Sequence, residues 1–162
     1  MKKFWAVLSL LAAAPVAAAA DVNFKDFQAS DLCKPEVYVT LNEEDDAELA
    51  GELLDILEDF ATLYEIRYGS DAGCILKTYL TVDAYEEEDG RYTYVNELSV
   101  EFGGEATLSA GGRSYRVKAP QLWSTVYYGL YADQEALLNS LEKNIKTYYE
   151  ELALAWKKNR KP

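Results

Sequence analysis

The sequence predicts an α+β protein, a two-layer α/β sandwich in the order β-α-β-β-β-β-α. Its sheet is expected to be mainly antiparallel, with one parallel βαβ pair and two long helices on one face. Three observations carry this reading. Two segments repeat apolar residues with helical period, and two others alternate apolar and polar residues around a short acidic turn. The only two cysteines of the mature chain, Cys33 and Cys74, each precede a predicted strand.

Residues 21–36 form a mixed lead-in. Val37 to Leu41 is β-branched and aromatic, and reads as a strand. Asn42, or Thr40 with Glu43 three residues on, is placed to start a helix from about Glu43 to Tyr68. Its apolar set (Leu49, Leu53, Ile56, Leu57, Phe60, Leu63 and Tyr64) covers an arc of about 120° at 100° per residue. Gly69, Ser70, Asp71 and Gly73 end it.

Ile75 to Tyr85 alternates. Leu76, Leu80, Val82 and Ala84 share one face; Tyr79, Thr81, Asp83 and Tyr85 take the other. Glu86 to Gly90 turns the chain, and Arg91 to Phe102 returns with Tyr92, Tyr94, Leu98, Val100 and Phe102 on one side. After Gly103-Gly104, two shorter runs, Ala106 to Leu108 and Tyr115 to Lys118, flank Ala110-Gly111-Gly112; both hairpins are expected to extend the sheet. Leu122 to Tyr131 reads either as another strand or as an aromatic loop. Asp133 is placed to cap a last helix, roughly Gln134 to Lys158, with the stripe Leu137, Leu141, Ile145, Tyr148, Leu152 and Trp156.

A strand, a helix and a strand make a βαβ unit. If its strands are parallel neighbours, their starting ends lie side by side, and so do Cys33 and Cys74. A disulfide there closes a loop of about 41 residues, worth roughly 4 kcal/mol in the chain-entropy model.

The first twenty residues explain why oxidised cysteines are expected. Lys2 and Lys3 precede an apolar run from Phe4 to Ala14, and Ala18-Ala19-Ala20 supplies small residues before Asp21. Residues 1–20 read as a cleaved secretory signal peptide, leaving 21–162 as a single domain. The protein is therefore expected to be exported, to the periplasm or the medium, where disulfides persist. No later apolar run reaches membrane length, so no membrane insertion of the mature chain is expected.

Charge narrows the partners. Removing Lys2 and Lys3 takes the formal net charge from −12 to −14. Residues 21–104 carry net −17 and residues 105–162 net +3. Such a field repels nucleic acid, and a cationic protein or small ligand suits it better. The chain has no histidine. That removes Ser-His and Cys-His nucleophile chemistry and the usual neutral-pH base. No phosphate-binding glycine loop or nucleophile elbow is present, so no enzyme, cofactor or metal is expected.

Two surfaces stand out instead. Glu44, Glu48, Glu52, Asp55 and Asp59 fall on one side of the first predicted helix, opposite its apolar stripe. Trp123, Tyr127, Tyr128 and Tyr131 cluster in one segment, and Tyr79 and Tyr85 lie on the strand face that the helices are not expected to cover. Tyrosine walls bind sugars or peptides at low entropic cost. The leading expectation is a small exported binding or accessory protein using the Tyr-rich sheet face, the acidic helix face, or both. The alternatives are a secreted inhibitor of a basic hydrolase, such as one attacking the cell wall, and a carboxylate-dependent hydrolase. The last requires a concave pair of acids with one raised pKa.

Overall fold

A computed structural model describes residues 24–159. The signal peptide expected at 1–20 lies outside the described residues. The main sheet has five strands in the order β2-β1-β3-β4-β7. These are β1 (Glu36–Leu41), β2 (Glu44–Asp45), β3 (Leu76–Glu86), β4 (Tyr92–Phe102) and β7 (Gln121–Tyr131). A separate two-stranded sheet pairs β5 (Glu105–Ala110) with β6 (Arg113–Lys118). Helix α1 (Ala47–Leu63) follows β2, and α2 (Gln134–Asn159) follows β7. Among the described strands β1 and β3 pair parallel, continued by a parallel bridge between Leu32 and Leu76, and the other strand pairs are antiparallel. The architecture is the expected α+β layering.

The βαβ unit and the disulfide agree as expected. Cys33 and Cys74 are bonded, with Cα atoms 5.1 Å apart. Around them the two strand starts are already laced together. The Cys33 N–H donates to the Leu76 carbonyl at 2.8 Å, and the Ile75 N–H donates to Asp31 at 2.9 Å. Gly69 donates to Leu32 at 2.8 Å, and a β-carbon there falls 1.9 Å from the Ser30 carbonyl oxygen. No side chain fits between those backbones, so the position requires glycine.

The first helix starts later than Glu43. Asn42 and Glu43 hold φ of 51° and 68° and form a two-residue hairpin turn. This folds Glu44–Asp45 back against Leu41 and Thr40 as β2. Asp46 then caps the helix, its Oδ1 accepting the Leu49 N–H at 2.9 Å. The helix also stops short of Tyr68. Glu65 adopts a left-handed φ of 54°, Ile66 N–H reaches the Ala61 carbonyl at 2.8 Å, and Glu65 N–H reaches Thr62 at 3.2 Å. These are the two hydrogen bonds of a Schellman stop. Leu63, assigned to the apolar stripe, is 64 % exposed at that end.

The second hairpin does not extend the main sheet. β5 and β6 are six residues each and exposed along most of their length, so they offer no continuous apolar face to a helix. The place beside β4 goes to β7, whose eleven uncharged residues match β4 nearly end to end. The ambiguous segment is thus a strand, and the β5–β6 hairpin projects as an arm.

One core results. Leu53, Leu57 and Ala61 of α1 meet Leu80, Val82 and Leu98 of the sheet and the whole expected stripe of α2, from Leu137 to Trp156. Asp133 caps α2 as expected, its Oδ1 accepting the Ala136 N–H at 2.8 Å. Both helices lie against the face bearing Val39, Leu80, Leu98 and Trp123, which leaves the opposite face without a second layer among the described residues. No helix among these residues is long and apolar enough to cross a membrane.

Candidate functional site

The uncovered sheet face follows from strand parity. Side chains alternate, so whatever neighbours a buried residue along a strand points outward. In β3 these are Lys77, Tyr79, Thr81, Asp83 and Tyr85; in β1, Glu36, Tyr38 and Thr40. In β4 and β7 they include Val95, Glu97, Val126, Tyr128 and Leu130. Tyr38, Tyr85, Val95, Val126, Tyr128 and Leu130 are all exposed, Tyr128 the most at 79 %. Thr81, Asp83 and Glu97 stand among them, so the face mixes exposed aromatic and aliphatic side chains with polar and acidic ones.

The face has two halves. Tyr38 and Tyr79 stand on neighbouring strands with ring centroids 6.3 Å apart. The Tyr38 hydroxyl donates to Glu36 Oε2 at 2.7 Å, which favours the neutral phenol and raises its pKa. Tyr79 is raised too, first by burial and then by the negative charge of Glu36 and Glu101. The other half is aliphatic and is carried by Val95, Val126 and Leu130, with Tyr128 beside them.

At the Tyr79 end, the base of the β5–β6 arm rises beside the sheet and shapes a cleft of about 480 Å³. Lys77, Tyr79, Glu101 and Gly103 line it on the sheet side, Glu105 and Lys118 on the arm side. It presents an aromatic ring between ammonium and carboxylate groups. That donor and acceptor set suits a small polar ligand or the charged end of a peptide.

The expected aromatic residues divide between the two faces. Tyr79, Tyr85 and Tyr128 lie on the uncovered face. Trp123, Tyr127 and Tyr131 have the opposite parity and turn toward α2. Trp123 is buried, 7 % exposed. Tyr131 hydrogen-bonds Ser140, and Tyr94, 5.2 Å from Tyr131 between ring centroids, accepts from Asn144 Nδ2 at 2.6 Å. These contacts fasten α2 to the sheet. Tyr127 leans out at the sheet margin, 42 % exposed, with its ring 6.5 Å from Tyr128. The segment therefore builds no single wall from all four residues.

Tyr38, Val95, Val126 and Leu130 were not among the residues singled out from the sequence, although they belong to the face. Their signal was available: each sits in the outward phase of its strand, where a polar residue is the norm.

The acids of α1 are placed as a surface. Glu48, Glu52, Asp55 and Asp59 are all exposed, while Glu44 belongs to β2 rather than to the helix. Beside them Glu58 pairs with Lys34. At the β3–β4 turn, Arg91 holds the Asp89 carboxyl below its usual range through a side-chain hydrogen bond, and Thr93 donates to Glu87 at 2.7 Å. No group of three or more metal-ligating side chains converges among the described residues. No protein-family model matches the chain, and no curated protein matches it in sequence.

Proposed function

We propose that this chain is a small exported binding or accessory protein, without catalytic chemistry of its own, that receives its partner on the uncovered face of the main sheet. The observation that carries the reading is the row of outward side chains, Tyr38, Tyr85, Val95, Val126, Tyr128 and Leu130, exposed together on a face with no covering layer among the described residues. The cleft beside Tyr79 extends that face with charged groups of both signs and supplies orientation to the aromatic and aliphatic contact. A segment of an extended chain or a flat carbohydrate fits such a surface. Export and the signal peptide belong to the same proposal, and the Cys33–Cys74 bond is in keeping with an oxidising compartment.

The test compares the wild type with a Tyr38→Ser/Tyr128→Ser variant as bait in a periplasmic extract. Both positions are exposed, so the variant is expected to keep its thermal midpoint. A partner retained by the wild type and lost by the variant supports the reading. Equal capture by both, or none by either, overturns it.

A second reading has its own observation. The exposed acids Glu48, Glu52, Asp55 and Asp59 lie on the helix layer, away from the sheet face, and form an independent surface for a basic hydrolase. Inhibition that fades with salt marks that reading; a panel of basic hydrolases left uninhibited removes it.

A further inference from the structure

The two edges of the main sheet are treated very differently. At one edge β2 is two residues long, and both are acidic. Short length and charge are the standard defences of an edge strand against pairing with another chain. At the other edge stands β7, eleven residues long, in which no residue is charged and none is proline. From Trp123 to Tyr131 its pairing with β4 is regular, so no bulge turns this stretch away. Among the described residues β7 pairs only with β4. Val126, Tyr127, Tyr128 and Leu130 are exposed along it. An edge this long, uncharged and free of bulges is a template for pairing with another strand.

We infer that the edge of β7 pairs antiparallel with β7 of a second copy, joining two five-stranded sheets into one. This concerns the edge of the strand and stands independently of what the sheet face binds. A two-fold axis at Val126 sets Trp123 opposite Gly129 of the partner and keeps outward residues opposite outward residues. The seven-residue window from Trp123 to Gly129 spans about 24 Å. Because the contact is two-fold and each chain has one such edge, the assembly closes as a dimer rather than growing into a filament.

Charge selects the second copy as the occupant. The β5–β6 arm leaves the sheet where β4 ends and β7 begins, and it carries Arg113, Arg116 and Lys118. Only Arg116 of these forms an ion pair among the described residues, with Glu105 at 3.4 Å. At the opposite end of the sheet, β7 runs into Asp133 and Glu135, and the β3–β4 turn bears Glu86 to Asp89. Antiparallel pairing brings the basic end of each copy beside the acidic end of the other, twice over. Elsewhere, a chain with formal net charge −12 repels its own copies. The uncharged strand β7 is flanked by charges of opposite sign at its two ends, an arrangement that complements itself under a two-fold rotation.

Sedimentation velocity of the purified protein tests this. The expected result is a dimer whose dissociation constant rises with salt. Val126→Lys, at an exposed position, sets two ammonium groups against each other on the axis and is expected to weaken the dimer by roughly tenfold or more. Arg113→Glu/Lys118→Glu tests the charged ends without touching the strand and is expected to weaken it and remove the salt dependence. A wild type that stays monomeric to its solubility limit overturns the inference. So does a dimer that survives Val126→Lys, which would place the contact elsewhere. Should Val126→Lys misfold, Tyr128→Lys places an ammonium group opposite Ser124 of the partner on each side of the axis, at an exposed position, and is also expected to weaken the dimer. A monomer that captures an extended peptide at β7 would also overturn it, assigning the edge to a foreign strand.

Discussion

Gly129 faces Tyr94 across the β4–β7 ladder, and the Tyr94 ring covers the bare backbone that the glycine leaves. A β-carbon built at Gly129 falls 2.7 Å from Tyr131 Cε2 and 3.2 Å from Tyr94 Cε1. The first distance is too short for any real contact, and both rings are held by hydrogen bonds to α2. Gly129→Ala is therefore expected to destabilise the protein by about 1–3 kcal/mol, as overpacking does, by pushing α2 off the end of β7. Urea denaturation measures it. A midpoint equal to the wild type would mean that the rings swing aside freely.

The stop of α1 is made by a residue poorly suited to it. Glu65 holds φ of 54°, the left-handed position of the Schellman motif, where glycine is the usual residue. Glu65→Gly relieves the backbone strain and is expected to stabilise by about 0.5–1 kcal/mol. The substitution also removes the Glu65–Lys157 contact at 3.7 Å. That pair is exposed, with Glu65 85 % accessible, and pairs of this kind are worth about 0–1 kcal/mol with many near nothing. The backbone effect is expected to win. A lower thermal midpoint in Glu65→Gly would show that the ion pair anchors the end of α2.

Asn96 poses the opposite problem. It is 1 % exposed on the core face of β4, and neither its Oδ1 nor its Nδ2 has a hydrogen-bond partner among the described residues. A buried, unsatisfied amide costs about 1–3 kcal/mol. Leucine has the same branching without the polar atoms, so Asn96→Leu is expected to raise stability by about 1 kcal/mol or more. Loss of stability would refute the expectation and show that the amide is satisfied by bound water or by residues outside those described.

These positions show what the sequence displays and what it hides. The α2 stripe from Leu137 to Trp156, the alternation of β3 and β4 and the Asp133 cap are local patterns, and periodicity exposes them. The Cys33–Cys74 pairing was legible because the chain has two cysteines and is expected to be exported, and a parallel βαβ pair sets their strand starts side by side. β2 was hidden because it is two acidic residues held by the Asn42-Glu43 turn, and acids that close to a helix read as its first turn. The fate of the β5–β6 hairpin was hidden for a different reason. Its alternation resembles that of β4, and only competition for the place beside β4 decides that the longer, uncharged β7 wins. The face itself was half legible. Tyr79 and Tyr85 signal it from β3, but Val126 and Tyr128 acquire a face only once β7 has a register with β4.

The tyrosines packed among the helices and the sheet give the stability a definite dependence on alkaline pH. Tyr68 and Tyr149 share a hydrogen bond between their hydroxyls where α1 gives way to the loop. Burial is the main cause that pushes Tyr68 up to about 12 from an ordinary 10.0, and burial raises Tyr149 as well. Tyr94 and Tyr148 are raised by burial in the same core. In each case folding favours the protonated phenol, so the unfolded chain releases its proton first. The contribution is complete below pH 10, where both states are protonated, and is lost as pH rises from 10 through 12. For Tyr68 the loss is about 1.4 kcal/mol for every pH unit between the two values. Urea midpoints across this range are expected to fall steeply. Tyr68→Phe is expected to start from a lower midpoint, having lost its hydrogen bond to Tyr149, and to show a shallower alkaline fall. A fall equally steep in Tyr68→Phe would remove Tyr68 from the account and leave the other buried phenols to carry it.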